Sequence, residues 1–309
     1  MSDAADTALH GTPGLGASRT ASRGGWLRDP WRKPRFLQAV TWGYLLWAIT
    51  PVIIAVIFSF NAGRSRSTWQ GFSMRWWYED PFDSLWHDAA LRTAMTQTFR
   101  LSILTVLIAV PLGTLFAIGI DRWRGRPAGV ANFGMLFSFV IPEIILGVSM
   151  FLLFTNLLLN VIDLGTFAQT IGLVTFQMSY PFIIVRARLL SIGPEYEEAA
   201  MDLGATPSQS LRRVLLPLLW PAILASIALV FADSVDNFVT VRYLSGPAAS
   251  EPLSVKIYSA ARSSPTPAVN AAATVMLVTT MVVIGLGWLL YRRLTKDQEQ
   301  GDVGGFVQL

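Results

Sequence analysis

Residues 191–217 read Ser-Ile-Gly-Pro-Glu-Tyr-Glu-Glu-Ala-Ala-Met-Asp-Leu-Gly-Ala-Thr-Pro-Ser-Gln-Ser-Leu-Arg-Arg-Val-Leu-Leu-Pro, a polar stretch set between two apolar runs. Pro194 suits the first turn of a helix, where its missing N–H would have no partner. Glu195, Glu197 and Glu198 complement the positive end of that helix. Gly204 is placed to end it in a left-handed cap. Thr206 then opens a second helix, with Pro207 at its first position and Gln209 completing a capping box. The stretch is predicted to be two short helices joined by a sharp turn. In the first, Tyr196, Ala199, Ala200 and Leu203 share one face, and Glu195, Glu198 and Asp202 line another. Two alanines make that apolar stripe shallow enough for a partner to approach closely, and a carboxylate beside it can pair with a basic residue. Periodicity alone equally allows a surface helix lying on the chain's own apolar segments.

Those apolar segments define the class. The chain is 52% hydrophobic and 14% charged, with a mean hydropathy of +0.47; a soluble domain carries about a quarter charged residues. A hydrocarbon core about 30 Å thick needs roughly 20 apolar residues per helix. Six stretches qualify: Leu37–Phe60, Phe99–Ile120, Ala131–Thr155, Thr166–Val185, Leu218–Phe238 and Ala271–Tyr291. The expected fold is all-α, with six transmembrane helices over residues 37–291. Residues 1–36 lack the apolar stretch of a signal peptide and read as a flexible tail; residues 292–309 form a second tail.

Most of the 24 basic residues fall on one side of this arrangement. They are Arg19, Arg23, Arg28, Arg32, Lys33 and Arg35, then Arg122, Arg124 and Arg126, then Arg186, Arg188, Arg212 and Arg213, and finally Arg292, Arg293 and Lys296. The positive-inside rule therefore predicts that both termini face the cytoplasm. The two longer segments on the other side, about residues 61–98 and 239–270, are mixed in charge and rich in Trp, Tyr and Pro. Prolines 51, 111, 142, 181 and 221 lie within spans, where each removes a backbone hydrogen bond and tends to kink its helix.

Several activities are excluded by composition. There is no cysteine, so no disulfide, thiolate zinc site or cysteine nucleophile. The two histidines, His10 and His87, have no metal-ligand spacing to any partner. The basic residues are scattered around apolar runs rather than gathered on a surface, which argues against nucleic acid. Lys33, Lys256 and Lys296 are the only lysines and none follows a glycine, so a Gly-Lys-Ser/Thr phosphate loop is absent.

The run Glu198-Ala199-Ala200, then Gly204, then Val214 and Leu216-Pro217, resembles the EAA loop of ABC importer permeases. Val214 stands where that family often has isoleucine. The resemblance covers about residues 40–295 as six spans in the right order. It implies that Glu198, Ala199, Ala200 and Gly204 dock into a cleft of a separate cytoplasmic ATPase dimer. That ATPase would bind ATP and Mg²⁺, and this chain would carry no cofactor. The resemblance further implies a second, related permease subunit, a soluble substrate-binding protein, and transport by alternating access. An ion-coupled secondary transporter, the rival mechanism, often shows inverted repeats, and none is evident.

Intramembrane acids are candidates for substrate contact, because burying charge in lipid is costly. Glu143, Asp233 and Asp236 stand out, with Tyr180, Phe231, Phe238 and Tyr258 as rings able to face a cation. Each acid has an alternative role as a hydrogen-bond partner of a neighbouring helix. The run Ile141-Pro142-Glu143-Ile144-Ile145-Leu146-Gly147 resembles the C-type spermidine/putrescine permeases. So do Asp236-Asn237-Phe238, Gly246-Pro247, Leu253-Ser254-Val255-Lys256-Ile257-Tyr258-Ser259, Thr266-Pro267 and Asn270-Ala271. That family usually has an acid where this chain has Asn237 and a glutamate where it has Ala268. Polyamine is the substrate class expected, with an amino-acid-like compound, thiamine or iron as alternatives.

Overall fold

A computed structural model of the chain describes residues 35–65, 68–123, 125–158, 161–262 and 266–306. The expected flexible tail lies outside them except for its last two residues, as does Arg124. The described residues form helices and no strand; one isolated bridge joins Asn61 and Phe72. The chain divides into two units, residues 1–51 and 52–309.

Helix α1 (Arg35–Phe58) begins in the first unit and ends in the second. The second unit continues with α2 (Ala89–Arg122), α3 (Arg126–Val140), α4 (Glu143–Leu152), α5 (Thr166–Gln177) and α6 (Ser179–Ile192). Two short helices follow, α7 (Glu195–Asp202) and α8 (Pro207–Ser210). The unit closes with α9 (Leu216–Asp236), α10 (Val239–Tyr243), α11 (Leu253–Arg262) and α12 (Pro267–Phe306). Among the described residues, five helices are long and apolar enough to cross a membrane, and six if a bent pair counts as one span.

That bent pair is the expected third span. It is two helices, α3 and α4, that meet at 101° across Ile141–Pro142. Proline has no N–H to give the Ser138 carbonyl, and it drives the residue before it out of the helical region. Ile141 accordingly adopts φ −61°, ψ 131°. A milder version occurs at Met178, where α5 gives way to α6. Pro181 cannot donate to the Gln177 carbonyl four residues back. The same unit of chain accepts a close neighbour there. A Cβ on Gly113 of α2 would sit 2.5 Å from the Met178 carbonyl oxygen and 2.6 Å from Pro181 Cγ, so only glycine lets α2 come this near.

The fifth span starts earlier than hydropathy suggests. Helix α8 runs through a π-helical turn, Leu211–Leu215, directly into α9. Leu216 N–H bonds to the Leu211 carbonyl, five residues back, just before Pro217 removes the next regular donor. The second of the two expected loop helices is therefore the start of a span. Helix α12 likewise continues through the C-terminal segment to Phe306.

Two of the apolar clusters in the second unit are larger than the rest. One joins α2, α6 and α9 through Ala117, Phe182, Val185, Leu189, Leu215 and Leu219. The other sits near the start of α2 and α12, where fully buried Trp76 packs with Leu85, Leu91, Ala94, Leu253, Ala268 and Ala271. Several hydroxyls inside helices donate to the carbonyl four residues back, as at Thr98, Ser102 and Ser226. With no water in the hydrocarbon, such pairing spares the hydroxyl the cost of an unmet hydrogen bond. The buried hydroxyls of Thr105 and Thr114 on α2, by contrast, have no partner among the described residues.

Candidate functional sites: an outward-facing helix and a line of intramembrane acids

Helix α7 forms as its sequence predicts, with Glu195, Glu197 and Glu198 in its first turn. Gly204 has φ +89°, a conformation that disfavours any side chain. Ala205 N–H bonds to the Ala200 carbonyl and Gly204 N–H to the Met201 carbonyl, the paired bonds of a Schellman cap. Thr206 Oγ1 accepts from Gln209 N–H at 3.3 Å, and Gln209 Oε1 accepts from Thr206 N–H at 3.0 Å, the predicted capping box.

One side of α7 is fastened to the rest of its unit. Glu197 forms an ion pair with Arg122 at the end of α2, and Ser210 Oγ donates to the Glu197 carbonyl at 3.4 Å. Among the described residues the opposite side is largely uncovered. Leu203 is 91% exposed and Tyr196 58%, with Ala199 and Glu198 also exposed and Ala200 half-buried. The apolar stripe therefore does not lie on the chain's own spans. It is offered outward with Glu195, Glu198 and Asp202 beside it.

Three acids, Asp233 and Asp236 on α9 and Glu143 on α4, have different environments. Asp233 receives hydrogen bonds from Gln177 Nε2 at 2.8 Å and from the Tyr180 hydroxyl at 3.3 Å. Gln177 also accepts from Ser234 Oγ at 2.7 Å, so one amide bridges α5 to two successive residues of α9. Glu143, first residue of α4, uses one oxygen for three donors. These are Asn237 Nδ2 at 2.7 Å, Thr240 Oγ1 at 2.8 Å and Thr240 N–H at 3.3 Å. Asp236 is exposed and has no hydrogen-bond partner among the described residues.

Tyr258 on α11 faces Phe238, their ring centroids 4.7 Å apart, and Arg262 lies over the Tyr258 ring at 4.6 Å. The protein thus supplies a cation to this ring itself. Sequence reasoning passed over Gln177, Thr240 and the Arg122–Glu197 pair. The signal for Gln177 was available: an amide inside an apolar span has to find a partner. The other two depend on contacts between distant segments.

The two departures from the polyamine pattern also find physical places. Ala268 is 1% exposed within the core around Trp76, where a glutamate would be a buried, unpaired charge. Asn237 is 7% exposed and uses both ends of its amide, donating to Glu143 and accepting from Val241 N–H.

A helical membrane subunit with a capped, outward-facing helix between its spans is what these features define. The chain matches the family described as binding-protein-dependent transport system inner membrane component over residues 109–299, and it belongs to that family. It is 32% identical over 277 residues to the putrescine transport system permease protein PotI of Escherichia coli, covering 88% of this chain and 94% of that protein. It is 33% identical over 254 residues to the spermidine/putrescine transport system permease protein PotC of Escherichia coli, covering 82% and 92%. Among solved structures, a bacterial ABC transporter involved in alginate import superposes with a TM-score of 0.65 at 19% identity, over 84% of this chain and 96% of that one. The chain is a permease subunit of an ABC importer.

Proposed function

We propose that this subunit forms half of the membrane pathway of a polyamine importer, with both termini in the cytoplasm. The carrying observation is Asp236, an exposed carboxylate at the end of a span with no hydrogen-bond partner among the described residues. Such a group faces a water-filled cavity rather than lipid, because lipid would leave its charge uncompensated. A chain of ammonium groups is the complement of a pathway that presents Asp236 with Asp233 behind it. The names of the relatives, putrescine and spermidine permeases, support the same substrate class. Asn237 and Ala268 have structural roles of their own, so neither requires a change of substrate.

The second half of the pathway is a related permease subunit, giving a pseudo-twofold heterodimer. Helix α7 inserts into a cleft of the cytoplasmic ATPase, with Ala199, Ala200 and Leu203 as the contact stripe, Glu198 as the charged anchor and Gly204 fixing the turn. A soluble binding protein delivers substrate to segments 61–98 and 239–270. A cavity of about 320 Å³ lined by Ala89, Ala90, Thr93, Ala248, Glu251 and Lys256 lies between those segments. ATP binding opens the pathway outward and hydrolysis returns it inward.

The test is uptake of labelled putrescine into proteoliposomes holding the full complex. Asp236→Asn should lower uptake about tenfold or more while the complex still assembles. Uptake equal to the unmutated complex would remove Asp236 from the pathway.

A further inference from the structure

Helix α7 hangs between two turns, with positive φ at Gly193 (+75°) and at Gly204 (+89°). None of its residues is buried, and none belongs to the apolar cluster that joins α2, α6 and α9. The polar contacts that hold its inner side converge on one residue. The Glu197 carboxylate pairs with Arg122, the last residue of α2, and the Glu197 carbonyl accepts from Ser210 Oγ at 3.4 Å. Ser210 is 1% exposed and is the last residue of α8. The two elements joined in this way are long. Helix α2 is continuous over 34 residues. From α8 the chain runs through the π-helical turn and α9 as one 30-residue stretch, Pro207–Asp236, with Asp233 and Asp236 at its other end. Glu198, the next residue along α7, is exposed, because one helical step turns it about 100° from Glu197. Of these neighbouring carboxylates, one points outward and the other back to its own chain.

We infer that Arg122 and Glu197 are positioning residues for transport: their ion pair makes α2 follow α7 when the ATPase moves that helix. The Ser210 contact does the same for α9. Without the pair, a movement of α7 reaches the spans through Ser210 and the two glycine turns, and α2 is left behind. The pair is partly exposed, with 42% of the Arg122 side chain and 21% of the Glu197 side chain open, so it adds little to fold stability. Each charge also suits its own helix, Arg122 at the negative end of α2 and Glu197 at the positive end of α7. Both helices therefore survive loss of the pair, and what is lost is the link between them. The inference rests on the reading of α7 as the docking helix and adds which residues carry its movement into the spans.

The experiment uses the complete transporter, with its binding protein, in proteoliposomes. This chain has no cysteine, so thiols introduced by Asp121→Cys on α2 and Met201→Cys on α7 take spin labels at those two places alone within it. Both positions are exposed and lie outside the docking stripe. In a complex whose other subunits also lack cysteine, the distance between the labels is measured without nucleotide and with a non-hydrolysable ATP analogue. With Arg122 present the two distances should agree; with Arg122→Gln they should differ by about 2 Å or more. Arg122→Gln should also lower putrescine taken up per ATP hydrolysed about fivefold or more. The yield of co-purified ATPase should stay unchanged and the thermal midpoint should move by less than about 2 °C. Arg122→Lys, which keeps the charge, should restore the constant distance and most of the uptake per ATP. Label distances that behave alike with Arg122 and with Arg122→Gln would overturn the inference. So would a loss that Arg122→Lys fails to recover, or a midpoint lowered by about 8 °C or more, which would make the pair a support of the fold. The docking reading fails separately, if Glu198→Lys co-purifies with the ATPase as the unmutated chain does. The label distances need no substrate, so they stand whatever the complex transports.

Discussion

Two residues outside the transport pathway carry sharp consequences. Asp80, in the segment between α1 and α2, has Oδ1 bonded by the N–H groups of Asp83 and Phe82 and Oδ2 bonded by Arg75. Those donors, backbone first and Arg75 after them, lower its pKa from 3.8 to about 2. A depressed carboxylate pKa stabilises the fold above the unfolded value and stops doing so as pH falls through the folded one. The stability difference between the wild type and Asp80→Asn should be constant above about pH 4 and vanish as pH falls through about 2. Thermal midpoints of the two proteins across that pH range measure it. At Gly113 the argument is steric. Gly113→Val should cost about 1–3 kcal/mol, because backbone at Met178 cannot move aside. Fluorescence-detected size exclusion after graded heating measures it, and a variant as heat-resistant as wild type would refute the close approach.

At the scale of elements, α7 separates what local sequence specifies from what it leaves open. Its start, its Schellman stop and the following capping box are each written in residues within one turn of where they act, and all three formed as predicted. The direction of its apolar stripe was not legible, because that depends on Arg122 and Ser210 gripping Glu197 from outside the helix. Proline was legible as a kink but not in degree. Pro142 turns its span by 101°, whereas Pro111 remains inside a continuous 34-residue helix. At the Pro142 break Glu143 finds Asn237 and Thr240, almost a hundred positions away in sequence. For α7 itself, Glu198→Lys should reduce co-purification of the ATPase several-fold while leaving the spans folded. Leu203→Asp should do the same, since that side chain is 91% exposed and contributes little to its own unit. Unchanged co-purification for both variants would remove this face from the coupling contact.

For the whole molecule, the six apolar stretches were readable from hydropathy, and the family match rests on much of the same chain. The rotation of each helix was less readable. The hidden faces of α2, α5 and α9 are marked by buried polar residues such as Gln97, Gln169, Gln177 and Ser226 rather than by apolar periodicity. In a lipid solvent apolar residues suit both the interior and the exterior, so periodicity loses contrast and polar pairs carry the specification. Asp236 is the exception that gives the function its direction, as an exposed acid left without such a pair among the described residues. The measurement that bears most directly on the whole account is ATP hydrolysis by the complete transporter with its binding protein, across putrescine, spermidine, amino acids, thiamine and ferric iron. The account predicts stimulation by the two polyamines and by nothing else in the panel, abolished by Asp236→Asn together with Asp233→Asn. Stimulation by a neutral or zwitterionic compound, with polyamines inert, would contradict the reading of these acids as a path for ammonium groups.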